Sequence, residues 1–139
     1  MLIGEYNHSL DVKGRVNFPS KLREDLGERF ILTKGLDGCL FVYSMPEWAI
    51  LEEKIKSMPL SKARTFQRFL FASAIEVTVD KQGRIVIPSN LREYAGLDKD
   101  VVIIGASVRA EIWDQKKWEE SCRQLTPEMI EETMDELGF

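Results

Sequence analysis

Short apolar runs, alternating or continuous and each closed by glycine or proline, recur along this chain and predict a strand-rich fold. Residues 5–10 alternate, with Tyr6, His8 and Leu10 on one face, and residues 75–79 alternate more cleanly through Ile75, Val77 and Val79. After a four-residue connection, Val16-Asn17-Phe18 and Ile85-Val86-Ile87 follow as returning strands, each expected to close a hairpin on the strand before it. Pro19 and Pro88 end these strands, because proline has no N–H to give to a sheet ladder. Ser20 and Ser89 are expected to cap short helices over residues 21–26 and 90–95, with Gly27 and Gly96 where a helix ends. Residues 30–33 and 101–104 are continuous apolar runs and predict buried strands. Asp37-Gly38 predicts a turn into a strand over 39–43, matched by a strand over 109–113.

The period then changes from two to 3.6. Trp48, Leu51, Ile55 and Met58 share one face of a helix predicted over 46–58; Trp118, Cys122 and Leu125 share one over 116–125. Residues 60–74 also carry apolar positions at helical spacing, which predicts a helix between two units. Thr126-Pro127 opens a last helix with an apolar stripe of Met129, Ile130, Met134 and Leu137, ended by Gly138.

The elements come twice because the sequence does. Residues 11–27 match residues 80–96 at an offset of 69, with nine of 17 positions identical. With one inserted residue the match runs on, aligning Gly35 with Gly105, Val42-Tyr43 with Ile112-Trp113, and Trp48 with Trp118. The expected organisation is a first unit over 1–58, a connecting helix over 59–74, a second unit over 75–125 and an acidic C-terminal helix over 126–139. The expected class is α+β and β-rich, two pseudo-symmetric β-β-α-β-β-α repeats.

Composition narrows the chemistry. The 139 residues are 44% apolar and 30% charged, a globular balance with no run near the roughly 20 apolar residues that span a bilayer. No membrane partner is expected. The opening Met1-Leu2-Ile3-Gly4-Glu5 lacks the basic and apolar regions of a signal peptide, which predicts a cytoplasmic protein. The only histidine is His8, expected to be a strand side chain. The two cysteines, Cys39 and Cys122, stand far apart and are expected to be small buried hydrophobes. Metal ligation, a disulfide framework and most imidazole-dependent catalysis are thereby disfavoured. No cofactor, metal or catalytic residue is predicted, and the chain is not read as an enzyme. Phe66, Phe69 and Phe71 could stack bases, yet a stripe at helical spacing points to core.

The net charge of −4 argues against nucleic acid only when taken whole. Residues 119–139 hold seven acids and one base, so the remainder of the chain carries +2. Residues 12–23 contain Lys13, Arg15, Lys21 and Arg23 with no acid; residues 81–92 contain Lys81, Arg84 and Arg92 with none. These stretches hold the one distinctive constellation, Asp11-Val12-Lys13-Gly14-Arg15 and Asp80-Lys81-Gln82-Gly83-Arg84. Glycine permits a positive φ at the tip, and Asp11 and Asp80 can accept turn amides and face the arginine four residues on. A rigid turn would need no more than that. Duplicated, and flanked by bases alone, the turns also fit a two-stranded ribbon entering a major groove, with Arg able to meet a guanine edge or a phosphate. Gln82 stands where the first copy has Lys13, so the first turn is expected to dominate.

At these residues, Asp-x-x-Gly-Arg followed by Pro-Ser-x-Leu-Arg-Glu, the sequence resembles the AbrB-like (SpoVT/AbrB) regulators and antitoxins. Two tandem copies, with the opening Met-Leu-Ile-Gly-Glu-Tyr-Asn-His-Ser-Leu-Asp, resemble the MraZ family, regulators from the division and cell-wall gene cluster. The resemblance implies a swapped-hairpin, double-split β-barrel and a ring-shaped homo-oligomer, eight- or twelve-membered. It implies binding of double-stranded DNA at promoter direct repeats of its own operon, as a nucleoid-associated repressor. The family's DNA-binding arginine falls on Arg15 and Arg84. The candidate interface is Lys13, Gly14, Arg15, Lys21, Arg23, Lys81, Gln82, Gly83 and Arg84, with Asp11 and Asp80 as turn stabilisers. An antitoxin-like module whose acidic helices neutralise a protein partner is the alternative.

Overall fold

A computed structural model describes residues Met1–Phe139. In chain order the elements are β1 (Glu5–Ser9), β2 (Arg15–Asn17), α1 (Ser20–Leu26), β3 (Arg29–Lys34), β4 (Leu40–Ser44), α2 (Met45–Lys56), α3 (Leu60–Phe71), β5 (Ile75–Thr78), β6 (Arg84–Val86), α4 (Ser89–Ala95), β7 (Asp100–Ala106), β8 (Arg109–Asp114), α5 (Gln115–Arg123) and α6 (Pro127–Glu136). The fold is mixed α+β, and every expected element is present within a few residues of its predicted ends.

Six strands form one antiparallel sheet in the order β1-β7-β8-β4-β3-β5; β2 and β6 form a separate two-stranded ladder. That order corrects the expected hairpins. The chain does reverse after β1, with the Asp11 amide donating to the Arg15 carbonyl at 3.0 Å, but β1 and β2 then part. β1 pairs with β7 of the second copy, β5 pairs with β3 of the first, and β2 pairs with β6 across the copies. The reason lies in the two short strands. Val16 and Ile85 sit opposite each other in the ladder and both are 1% exposed, so pairing across copies puts two β-branched side chains into one interior.

The sheet's two faces carry different cores. Phe30, Leu32, Leu40, Val42, Val101, Ile103, Ala110 and Ile112 point to the β2–β6 side. There they join Val16, Ile85, Phe18, Ile87 and the inward leucines of α1 and α4 in a cluster of 20 buried residues drawn from both copies. The opposite face holds Cys39, Phe41, Tyr43, Val102, Ile104 and Trp113 under Trp48, Leu51 and Trp118 of α2 and α5. A third cluster, Ile55, Ala63 and Leu70, joins α2 to α3, with Phe66, Phe69 and Phe71 packed on it, so those aromatics are core. Thr33 ties α3 to β3 by donating to the Leu70 carbonyl at 2.6 Å.

Three local expectations fail. Ser20 and Ser89 are the first residues of their helices and not caps; Pro19 and Pro88 hold the cap positions, and no side chain closes either N-terminus. The pre-set φ of proline starts these helices instead. Cys122 is exposed, unlike buried Cys39, because it lies in the last turn of α5, where coverage of the helix stops at partly buried Trp118 and Ser121. Met58 and Leu125 are also exposed, each lying past the last turn of its helix. Thr126 does cap α6, accepting from the Met129 amide at 3.2 Å. Every residue of α6 is exposed, its apolar stripe included. No helix is long and apolar enough to cross a membrane.

Candidate nucleic-acid interface

The two Asp-x-x-Gly-Arg turns have one geometry. Asp11 Oδ1 accepts from the amides of Lys13 and Arg15, both at 2.9 Å, while Arg15 Nε donates to Oδ2 at 2.6 Å. In the second copy Asp80 Oδ1 accepts from Gln82 N at 2.8 Å and Arg84 N at 2.9 Å, and Arg84 Nε donates to Oδ2 at 3.1 Å. Gly14 and Gly83 both have φ of 79°, the left-handed conformation the tip requires. The amide of Arg15, ahead of its side chain, holds the Asp11 carboxyl below the usual carboxylate range; the Arg84 amide does the same for Asp80. Each arginine is thus braced through Nε, and its two terminal nitrogens carry no hydrogen bond to the protein. A guanidinium fixed at its neck with free terminal donors is pre-organised for bidentate contact.

The exchange of strands sets where the turns lie. The Gly14 carbonyl accepts from the Ile87 amide at 2.8 Å, and the Gly83 carbonyl from the Phe18 amide at 2.9 Å. Each tip is therefore sewn to the other copy's strand, and the helix after that strand delivers its arginine there. Arg92 packs against Gly14, and Arg23 lies 3.4 Å from the place a Cβ on Gly83 would take. The first turn thus gathers Lys13, Arg15 and Arg92; the second gathers Lys81, Arg84 and Arg23. Between them the β2–β6 ladder, paired Arg15 to Val86, Val16 to Ile85 and Asn17 to Arg84, presents one outward face with an arginine at either end.

Of the predicted residues, Lys13, Gly14, Arg15, Lys81, Gln82, Gly83 and Arg84 lie on the two tips, and Arg23 reaches the second. Lys21 is apart: no hydrogen bond or ion pair joins it to either turn, and it borders a depression with Met1, Ile3, Tyr6, Glu24 and Asp25. Arg92 was missed as a site residue. The signal was present, since Arg92 repeats Arg23 at the same offset of the duplicated motif. His8 is a β1 residue opposite Val101, and burial lowers its pKa. No group of three His, Cys, Asp or Glu side chains is gathered as for a metal.

Fold and site together define a tandem-repeat α+β protein that presents two braced, cationic turns on one interlocked core. The chain belongs to the MraZ family: the family model described as "MraZ protein, putative antitoxin-like" matches residues 1–69 and again 70–137. The chain is 59% identical over 143 residues to the transcriptional regulator MraZ of Caldicellulosiruptor bescii, and 60% identical to those of Caldicellulosiruptor saccharolyticus and Acetivibrio thermocellus, with all of each chain covered. These relatives are named as regulators of transcription and not as enzymes, in agreement with the expectation from the sequence.

Proposed function

We propose that this protein is a sequence-specific, double-stranded-DNA-binding regulator of transcription that reads its site through the paired turns. The observation that carries the reading is the outward face of the β2–β6 ladder, where Arg15 and Arg84 are each held by an aspartate at Nε and left open at their ends. Two-stranded ribbons fit the major groove, and an arginine fork fits the guanine edge there. Lys13, Lys81, Arg23 and Arg92 surround the ladder ends as phosphate contacts. In this reading the exchanged hairpins are the swapped-hairpin, double-split barrel of AbrB-like regulators.

The target that follows from the family resemblance is a set of direct repeats in the promoter of its own division and cell-wall operon, bound as a repressor at the nucleoid. A ring of subunits, eight or twelve, suits direct repeats, because each subunit then presents its turns in the same sense. Exposed Met1, Ile3 and Val108 at one end of the sheet, and the α6 stripe of Met129, Ile130, Met134 and Leu137, offer apolar surface for such contacts. The test is a protection footprint on DNA upstream of the gene, with sedimentation of the free protein and competition by RNA of the same sequence. Evenly spaced protected repeats, an oligomer at micromolar concentration and weak RNA competition are expected. Protection of a single palindrome, a monomer, or equal competition by RNA would each defeat the corresponding part.

The uncovered α6 stripe also suits a second reading, an antitoxin-like helix that grips a protein partner. Stoichiometric co-purification of one partner, lost on removing residues 126–139, would favour it over the DNA reading.

A further inference from the structure

The outward face of the ladder holds four side chains, and two of them have no structural occupation. Val16 and Ile85 point inward, so strand alternation sends Arg15, Asn17, Arg84 and Val86 outward together. The two arginines are braced by their aspartates. Asn17 is exposed, and its side chain makes no hydrogen bond within the protein. Asparagine is depleted in strands, so a three-residue strand does not hold it there for propensity. Val86 is 54% exposed, an apolar side chain standing among cations. On the ladder's outward face the pair is also the one place where the copies differ: Asn17 and Val86 occupy the same position in the two copies, next but one to identical arginines.

We propose, on the DNA-binding reading above, that Asn17 and Val86 are base-reading residues that make this ribbon's target non-palindromic. Residues directly opposite in an antiparallel pair lie roughly 5 Å apart. Residues two apart along a strand lie about 6.6 Å apart, close to two steps of about 3.4 Å in B-DNA. Four outward side chains therefore span a few consecutive base pairs. Asn17 lies opposite Arg84 and Val86 opposite Arg15. Asparagine matches the N6/N7 edge of adenine and an apolar side chain matches the methyl of thymine, while both arginines match guanine. One end of the ribbon then reads guanine beside adenine, and the other reads guanine beside thymine. Two copies alike at this place would read both ends the same way and select a palindrome.

The test is selection from randomised DNA duplexes by the full chain and by Asn17→Val and Val86→Asn, which make the ribbon alike at both ends. The wild type should select a non-palindromic core with an adenine preference at one position. Asn17→Val should lose that preference, by about tenfold or more in discrimination, and Val86→Asn should add a second adenine at the mirror position. Asn17→Ser serves as a second variant should Asn17→Val melt early, with the same loss expected. Unchanged base preference in a folded Asn17 variant, or a palindrome selected by the wild type, overturns this inference while leaving the DNA-binding reading in place. No sequence selected by the wild type at all overturns the reading on which it rests.

Discussion

The first and second turns are built from the same hydrogen bonds and differ in what surrounds them. In the first, Lys13 stands next to the tip glycine and Val12, at the outermost position, is 99% exposed; in the second, Lys81 takes the outermost position and Gln82 stands next to the glycine. Each tip therefore keeps one lysine, moved by a single residue. The other difference is space. Arg92 crowds Gly14, whereas Arg23 stands off from Gly83. The bracing aspartates, tip glycines and arginines are identical, while the copies differ both in the core, at Val16/Ile85, Phe18/Ile87 and Leu26/Ala95, and on the surface. The core differences exchange one apolar side chain for another, whereas those on the tips move a charge.

The largest effects are expected at the arginines. Arg15→Ala should leave the fold intact, because the side chain is partly exposed and its loss leaves Asp11 with two amide donors. Specific DNA affinity should fall by about 1–3 kcal/mol for each lost guanine contact, multiplied over the subunits engaged. Arg84→Ala should cost less if adjacency of Lys13 to the tip is what makes the first turn dominant. Equal losses would mean that Lys81 replaces Lys13 in full. Wild-type affinity in a folded Arg15→Ala protein, read by melting and binding together, would remove this turn from the interface.

Next in size is backbone strain, which the crowding makes unequal. Alanine at position 14 must take a left-handed φ, at a cost of about 1–2 kcal/mol, and its Cβ would also come 2.8 Å from the Ile87 carbonyl oxygen and strike Arg92. Alanine at position 83 meets the same φ but only the movable end of Arg23 at 3.4 Å. Gly14→Ala should therefore lower the denaturation midpoint clearly more than Gly83→Ala. Equal shifts would show that the two tips have the same room.

Much of this was legible in the chain, and what was not has a physical reason. The duplication, the strand order in sequence, the aspartate-to-arginine bracing and the tip glycines follow from local chemistry, and local chemistry is what a sequence displays. The pairing of β2 with β6 does not, because a three-residue strand carries little register information and the burial of Val16 against Ile85 joins residues 69 apart in the chain. The basic cluster at each tip was hidden for the same cause: Arg23 follows the first turn in sequence but lies beside the second in space. Cys122 failed because a shared helical face does not say how far along the helix the sheet reaches. The exposed α6 stripe was visible as a pattern, and pattern alone says nothing of what covers it.

Smaller again is the expected effect of the lysines, which concerns salt more than sequence. Lys13→Ala and Lys81→Ala should each weaken binding to all DNA and reduce the slope of log affinity against log salt by about 0.9 per lost phosphate contact. The variants compare the two positions a lysine can take on a tip. A change in slope at Lys13 alone would place Lys81, at the outermost position of its tip, out of reach of the phosphate backbone. The double change Gln82→Lys with Lys81→Val, which copies the first tip onto the second, should then restore the missing slope.

The smallest expected effect is on acid stability and separates the two aspartates. Both carboxyls are held below their ordinary value of 3.8 in the folded protein, first by the amide of the arginine four residues on. A carboxyl whose pKa is depressed by folding contributes stability that is whole above its ordinary value and is lost as pH falls through the lowered one. The contribution should therefore be complete near neutrality and disappear only below about pH 4, the ordinary range for aspartate. Asp11→Asn keeps a carbonyl oxygen for the turn amides but has no charge to lose, so its stability should depend less steeply on pH there than the wild type's. The Asp80→Asn difference should be smaller, since Arg84 Nε stands 3.1 Å from its carboxylate against 2.6 Å for Arg15. Both carboxyls are exposed, so added salt should narrow the gap between the two variants. The measurement is denaturant unfolding from pH 6 to pH 2 for the wild type and both variants. An Asp11→Asn protein whose acid limb overlays the wild type's would show that this carboxylate is not held low, and that its bond to Arg15 orients the guanidinium without stabilising the turn.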